Sequence, residues 1–389
     1  MILAISIVAM STLPVFLVGA AFVQLENDLG LTPTSLGVLT ALFFMTAAIS
    51  STPLGHVVER IGWRRAMRIN SAITAAVLVA IGAVGRSTLV LAVLLVIAGL
   101  TYGLANPAAN RALAQRTDPA RRGVVFGLKH AGIPTSTLLA GLAVPALVLT
   151  VGWPWTFAAG ALLLPVIWLL IARDLDRQID WAEADATEQP DGSLDFRQLA
   201  ALGLAAAMGS WAAVSLGTFL VAAAVDSSVS EAAAGLLLFA GSVVSIGARA
   251  GYGVWTDRVR GGGFAGMAVL MAIGSVVFLG LRMSTGTAFI LLVLLAFATA
   301  WGWPGLMTFT VVNANASTAA ASSGVTQAGV FLGVGLGPII IGWVITNVSF
   351  QASWLLVSAV LAGGAVTAAA VGRGVSHVDR SARGRPVTG

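Results

Sequence analysis

The chain is 389 residues long, 58% hydrophobic and only 10% charged, against about 25% charged in an ordinary soluble domain. That excludes a soluble fold; the absence of cysteine excludes disulfides and thiolate metal sites, and three histidines are too few and too scattered for a metal cluster. The formal charge of +5 is carried in short loops between apolar segments, where it sets membrane orientation, so no nucleic-acid partner is expected.

Apolar stretches of roughly 20 residues, the length needed to cross a bilayer as a helix, recur along the whole chain. The alternating strands of a membrane barrel do not appear. Charge clusters and turn residues divide the signal into twelve spans near 2–24, 34–57, 66–85, 88–110, 123–149, 153–172, 198–222, 231–255, 264–282, 286–311, 321–345 and 352–371. The first has no charged leader and no small-residue cleavage site, so it reads as a retained span rather than a signal peptide. Between the sixth and seventh spans, residues 173–197 hold eight of the sixteen acids, which marks them as a solvated linker. The expected organisation is therefore a six-helix bundle over 1–172, a linker over 173–197, a second bundle over 198–372 and a tail over 373–389. Seventeen of the 21 basic residues fall in even-numbered loops or the tail, and only Arg86 and Arg282 in odd ones. This bias puts both termini in the cytoplasm of a multi-pass protein of the inner (plasma) membrane.

The two halves resemble each other at a shift of 197 or 198 residues. Lys129-His130-Ala131-Gly132-Ile133 aligns with Thr326-Gln327-Ala328-Gly329-Val330, Pro107 with Pro304, and Gly37 with Gly235. After the second and eighth spans, Gly55-x-x-x-Glu59-Arg60 matches Gly253-x-x-x-Asp257-Arg258. Six spans separate the copies, so the repeat is parallel, about an axis along the membrane normal, and a substrate site is expected near the midplane between the halves. The depths of Gly132 and Gly329 should match.

The segment GHVVERIGWRR (55–65) resembles the loop 2–3 signature of the major facilitator superfamily, G-x-L-a-D-r-x-G-r-[KR]-x-x, with Glu59 in place of the usual aspartate. Gly253, Asp257 and Arg258 form a degenerate second copy. The resemblance extends over essentially the whole chain. It implies an all-α membrane protein of twelve transmembrane helices in two pseudo-symmetric six-helix bundles that rock about a central site lined by helices 1, 4, 7 and 10. It also implies that Glu59, Arg60, Asp257 and Arg258 act in gating. The competing reading for Arg60 and its basic neighbours is anchorage to lipid phosphates.

Two cations, Lys129 and Arg249, fall inside predicted spans without an acid in the same span. Counted from the flanking charges, they lie roughly 10 and 12 Å into their helices at about 1.5 Å per residue. A charge at such depth costs at least ~2.5 kcal/mol, so it faces a wet cavity or a partner, or else snorkels to the surface. An anionic substrate is the simplest partner for both. Arg249-x-x-x-Gly253-x-x-x-Asp257 resembles the helix 8 pattern of the oxalate:formate and monocarboxylate branches, which implies carboxylate binding by Arg249; Lys129 has no counterpart in that pattern. His130 can couple transport to protons or bond a neighbouring helix. Tyr102, Asn106 and Asn110 follow i, i+4, i+8 spacing and share one face. Gln327, Trp303 and Trp211 complete the candidate site, although glutamine between membrane helices often serves packing alone.

The expected function is alternating-access transport of a small organic anion such as a monocarboxylate, as a symporter or antiporter. The alternatives are proton-coupled efflux of amphipathic drugs or metabolites, and a non-transporting receptor on the same fold. Against drug efflux, Leu95 stands where drug/proton antiporters of the superfamily carry an arginine before Gly99. No nucleophile–base pair or phosphate loop stands out, so no enzyme and no cofactor is expected. The protein is expected to act as a monomer in the lipid bilayer.

Overall fold

The computed structural model describes residues 1–115, 128–173, 194–258, 263–315 and 319–383. Twelve of the helices among them are long and apolar enough to cross a membrane. We number them α1 (Ile2–Ala20), α2 (Pro33–Ile61), α3 (Trp63–Val84), α4 (Thr88–Ala114), α5 (Gly132–Val151) and α6 (Trp153–Arg173) in the first half. The second half holds α7 (Phe196–Asp226), α8 (Glu231–Arg258), α9 (Gly263–Leu281), α10 (Gly286–Thr299 and Trp303–Ala314), α11 (Ala319–Asn347) and α12 (Phe350–Arg383). Among the described residues there is no strand. Most of the expected linker, 174–193, lies outside the described residues.

Helix starts are written in the local sequence. Thr32 caps α2 by accepting from the Ser35 amide with Pro33 in the first turn, and Ser87 caps α4 through the Val90 amide. Asp195 and Gln198 form a reciprocal capping box that starts α7 as the chain leaves the linker. Gly62, at φ +82°, makes the sharp reversal between α2 and α3.

An even number of spans places both termini on one face, here called the termini side. On the opposite side the two halves are tightly joined, and the join repeats itself. A Cβ on Gly37 of α2 would collide with the Pro338 carbonyl of α11, and one on Gly235 of α8 would lie 2.7 Å from the Gly141 carbonyl of α5. Gly37 and Gly235 are 198 residues apart, and Gly141 and Pro338 are 197 apart. Each crossing is thus the repeat image of the other. Hydrogen bonds reinforce it on the same side: Thr34 Oγ1 donates to Thr346 Oγ1 at 2.9 Å, and Gln24 Nε2 to Glu231 Oε2 at 3.0 Å. Nearer the middle, the Thr137 and Ser242 hydroxyls of α5 and α8 lie 2.7 Å apart.

The repeat also holds within each half. Gly132 approaches Ile5 and Val8 of α1, while Gly329 approaches Gly203 of α7, the repeat mate of Ile5. The two glycines thus approach repeat-related positions of α1 and α7.

Candidate functional site

Two polar residues of α4 converge on the chain's single lysine, and a third supports one of them. Lys129 Nζ donates to Asn106 Oδ1 at 2.8 Å and to Asn110 Oδ1 at 2.6 Å. Asn106 Nδ2 in turn donates to the Tyr102 hydroxyl at 3.4 Å, and the Tyr102 ring stacks at a tilt 5.8 Å from that of Phe43. One helical face spaced i, i+4, i+8 thus delivers two amide acceptors to one ammonium, with a stacked phenol bonded to the first of them. Lys129 is only 7% exposed, whereas Asn110, one turn nearer the termini side, is exposed. Both acceptors are neutral, and among the described residues Lys129 has no ion pair. Two of the three ammonium hydrogens are used, and among the described residues the positive charge has no counter-charge paired to it.

Lys129 is not in the regular part of α5. Leu128 and Lys129 form a helical turn, the chain turns at His130–Ala131, and α5 proper begins at Gly132. The lysine therefore lies just ahead of this turn; the expected start of the span at 123, from which its depth was counted, lies outside the described residues. Pro134 accounts for the break. It has no amide hydrogen to give to the carbonyl four residues earlier, which is that of His130. That carbonyl instead accepts from Arg249 Nη1 of α8 at 2.6 Å. The second cation is thus brought to the residue beside the first, across the seam between the halves. Arg249 Nε is buried with no partner among the described residues, and Arg249 has no ion pair among them.

The described carboxylates lie elsewhere. Asp28 accepts from Trp153 Nε1 at 2.8 Å, with the Arg86 guanidinium 5.2 Å above the Trp153 ring, and Glu231 pairs with Gln24; these lie on the side opposite the termini. No group of residues able to hold a metal ion occurs among the described residues.

The remaining candidates are spread more widely. His130 and Gln327 are half-buried. Trp303, buried, packs on Gly209 of α7, and Trp211 packs on Gly337 of α11; both indole N–H groups are buried without a partner among the described residues. Trp301 donates its indole hydrogen to the Ala213 carbonyl at 2.7 Å. These contacts of the three tryptophans lie within the second half. Glu59 and Arg60 are exposed at the end of α2, and the side chains of Asp257 and Arg258 lie outside the described residues. Arg111 of α4 donates to the Val58 carbonyl at 2.9 Å and so caps α2 one residue before Glu59. Sequence reasoning missed Pro134. Its signal was a proline four residues after His130, which predicts a free carbonyl.

Comparisons with known proteins bear on this arrangement. The family model described as Major Facilitator Superfamily matches residues 4–222, more than half of the chain. An uncharacterized MFS-type transporter of Mycobacterium tuberculosis, found in two strains, is 29% identical over 149 residues, 38% of this chain and 33% of the relative. The match thus spans about a third of the length of these curated relatives. Among solved structures, a bacterial homolog of the human lysosomal transporter Spinster is similar in two inward-facing conformations. The unoccupied form has a TM-score of 0.71 at 15% identity, covering 96% of this chain and 97% of that one. The occupied form has a TM-score of 0.67 at 14% identity, covering 97% and 96%. At such identities the likeness is one of fold.

Proposed function

The chain belongs to the major facilitator superfamily, a family of membrane transporters for small molecules, and from that premise we propose that it carries a small organic anion by alternating access between two states of the seam. The observation that carries this reading is the pairing of Lys129. An ammonium almost fully removed from solvent is held by two neutral amides, with a guanidinium docked on the next residue and no carboxylate paired to either among the described residues. Like charges held close together repel, and a bound anion relieves that repulsion and supplies the missing counter-charge. Lys129 acts as a point charge with a hydrogen to spare, and Arg249 contributes the unpartnered Nε. Asn106, Asn110 and Tyr102 hold the lysine in place. His130, Gln327, Trp211 and Trp303 remain candidates for the walls of the site.

The seam supports an order of events. The halves meet closely on the side away from the termini, so the site is reached from the termini side, which the positive-inside bias makes cytoplasmic. Rocking breaks the Gly37 and Gly235 crossings and brings the ends of α2 and α8 together. Glu59, Arg60, Asp257 and Arg258 then act as the gate on the closing side, changing the balance of states rather than affinity within a state.

The test is a thermal-shift panel on the purified protein, since a ligand that binds the native state raises its apparent stability. Carboxylates with apolar or aromatic bodies are expected to raise the midpoint and cationic amphiphiles to leave it unchanged. The opposite pattern makes drug efflux the better account.

A further inference from the structure

Arg249 reaches across the seam for an acceptor that exists only because of a proline. In an uninterrupted helix the His130 carbonyl would accept the amide hydrogen of residue 134. Proline there has none, the helix breaks at His130–Ala131, and the carbonyl is free to take Arg249 Nη1 at 2.6 Å. The contact joins α8 of the second half to the entrance of α5 in the first, on the termini side of the Thr137–Ser242 contact. It is made at the residue that follows Lys129 in the chain. Among the described residues nothing neutralises the guanidinium in this position, since a carbonyl oxygen is only a dipole and Arg249 Nε is buried without a partner.

We propose that Pro134 is a positioning residue that creates a parking acceptor for Arg249: in the empty protein the guanidinium is latched to the His130 carbonyl, and an arriving anion takes it away. A carboxylate accepts two parallel N–H bonds from a guanidinium, which one carbonyl oxygen cannot match. Binding therefore trades the latch for a stronger contact, and the interaction between the halves at this level comes to pass through the ligand. This inference rests on the anion reading for its displacement step. The latch itself does not depend on the ligand.

The chain has no cysteine, so spin labels can be placed on the full protein at Ile69→Cys of α3 and Phe196→Cys of α7. Both positions are exposed, at 43% and 72%, and lie in different halves toward the termini side. Distances are measured by pulsed electron paramagnetic resonance without added anion. Pro134→Ala and Pro134→Gly both restore the amide hydrogen while differing in side-chain volume, so the latch predicts the same widening of the distance distribution for each. Arg249→Met should widen it equally, and adding Pro134→Ala to Arg249→Met should change nothing more. Benzoate, the probe anion, should bind Pro134→Ala about fivefold more tightly than the wild type, because one net hydrogen bond no longer has to be given up. Wild-type distances in both proline variants, or additive effects in the double variant, overturn the latch. Failure of the wild type to bind benzoate overturns the displacement step together with the anion reading, while the ligand-free distances still decide the latch on their own.

Discussion

The two halves share a scaffold and differ in chemistry. At the crossings, Gly37 against Pro338 and Gly235 against Gly141, each half contributes repeat-related backbone to repeat-related backbone. At the site, the first half places Lys129, Asn106 and Asn110, where the second places Thr326, Trp303 and Met307 at the same shift. The first set forms a hydrogen-bonded cation. In the second, the Thr326 hydroxyl donates within its own helix to the Ser323 carbonyl, and Trp303 and Met307 are buried. Under the proposed alternating access both seams must open and close alike, which accounts for small residues at both crossings, whereas the proposed anion site needs its charge on one side only.

The comparison can be broken most severely at the shared crossings. Gly235→Val puts a branched side chain where even a Cβ would lie 2.5 Å from the Val144 Cβ. Overpacking of this kind costs about 1–3 kcal/mol, enough to shift the balance of states roughly 5- to 150-fold away from the one described here. Labelling from the side opposite the termini should detect the change, and Gly37→Val should reproduce it if the crossings are equivalent. A smaller effect is expected at the site. Asn110→Asp gives Lys129 a counter-charge of its own, so anion binding in an equilibrium assay should weaken roughly tenfold, the scale of one charge-assisted hydrogen bond. The smallest effect belongs to the repeat mate of the lysine. Thr326→Val removes only an intrahelical hydrogen bond and should alter anion binding less than about twofold.

Much of the architecture was legible from the chain alone because membrane helices announce themselves by length and apolarity. Each of the twelve expected spans has its helix, and Gly132 and Gly329 make the corresponding contacts that the repeat required. Helical spacing also identified the shared face of Tyr102, Asn106 and Asn110, since neighbours i and i+4 must point the same way. The target of that face was not legible: that two amides would take Lys129 depends on how α4 lies against the start of α5. Nor was the distance of 119 residues between Arg249 and the carbonyl it finds, although Pro134 had signalled that some carbonyl would be free. Trp303 illustrates the reverse difficulty. Its place opposite Asn106 in the repeat suggested the site, yet a large ring at that position packs on Gly209 instead, and periodicity does not distinguish a wall from a core.

The central claim is that the uncompensated charge of Lys129 holds the substrate's negative charge. The most direct measurement is equilibrium binding and proteoliposome uptake of a carboxylate that stabilises the wild type, compared between wild type and Lys129→Gln. Glutamine keeps a hydrogen-bond donor near Asn106 and Asn110 but removes the charge. Loss of a hydrogen bond to a charged group, about 1.5–3 kcal/mol, should weaken binding roughly 10- to 150-fold, with uptake falling in parallel. Binding and uptake at wild-type levels in Lys129→Gln would contradict the account and leave the lysine a packing residue satisfied by its two asparagines.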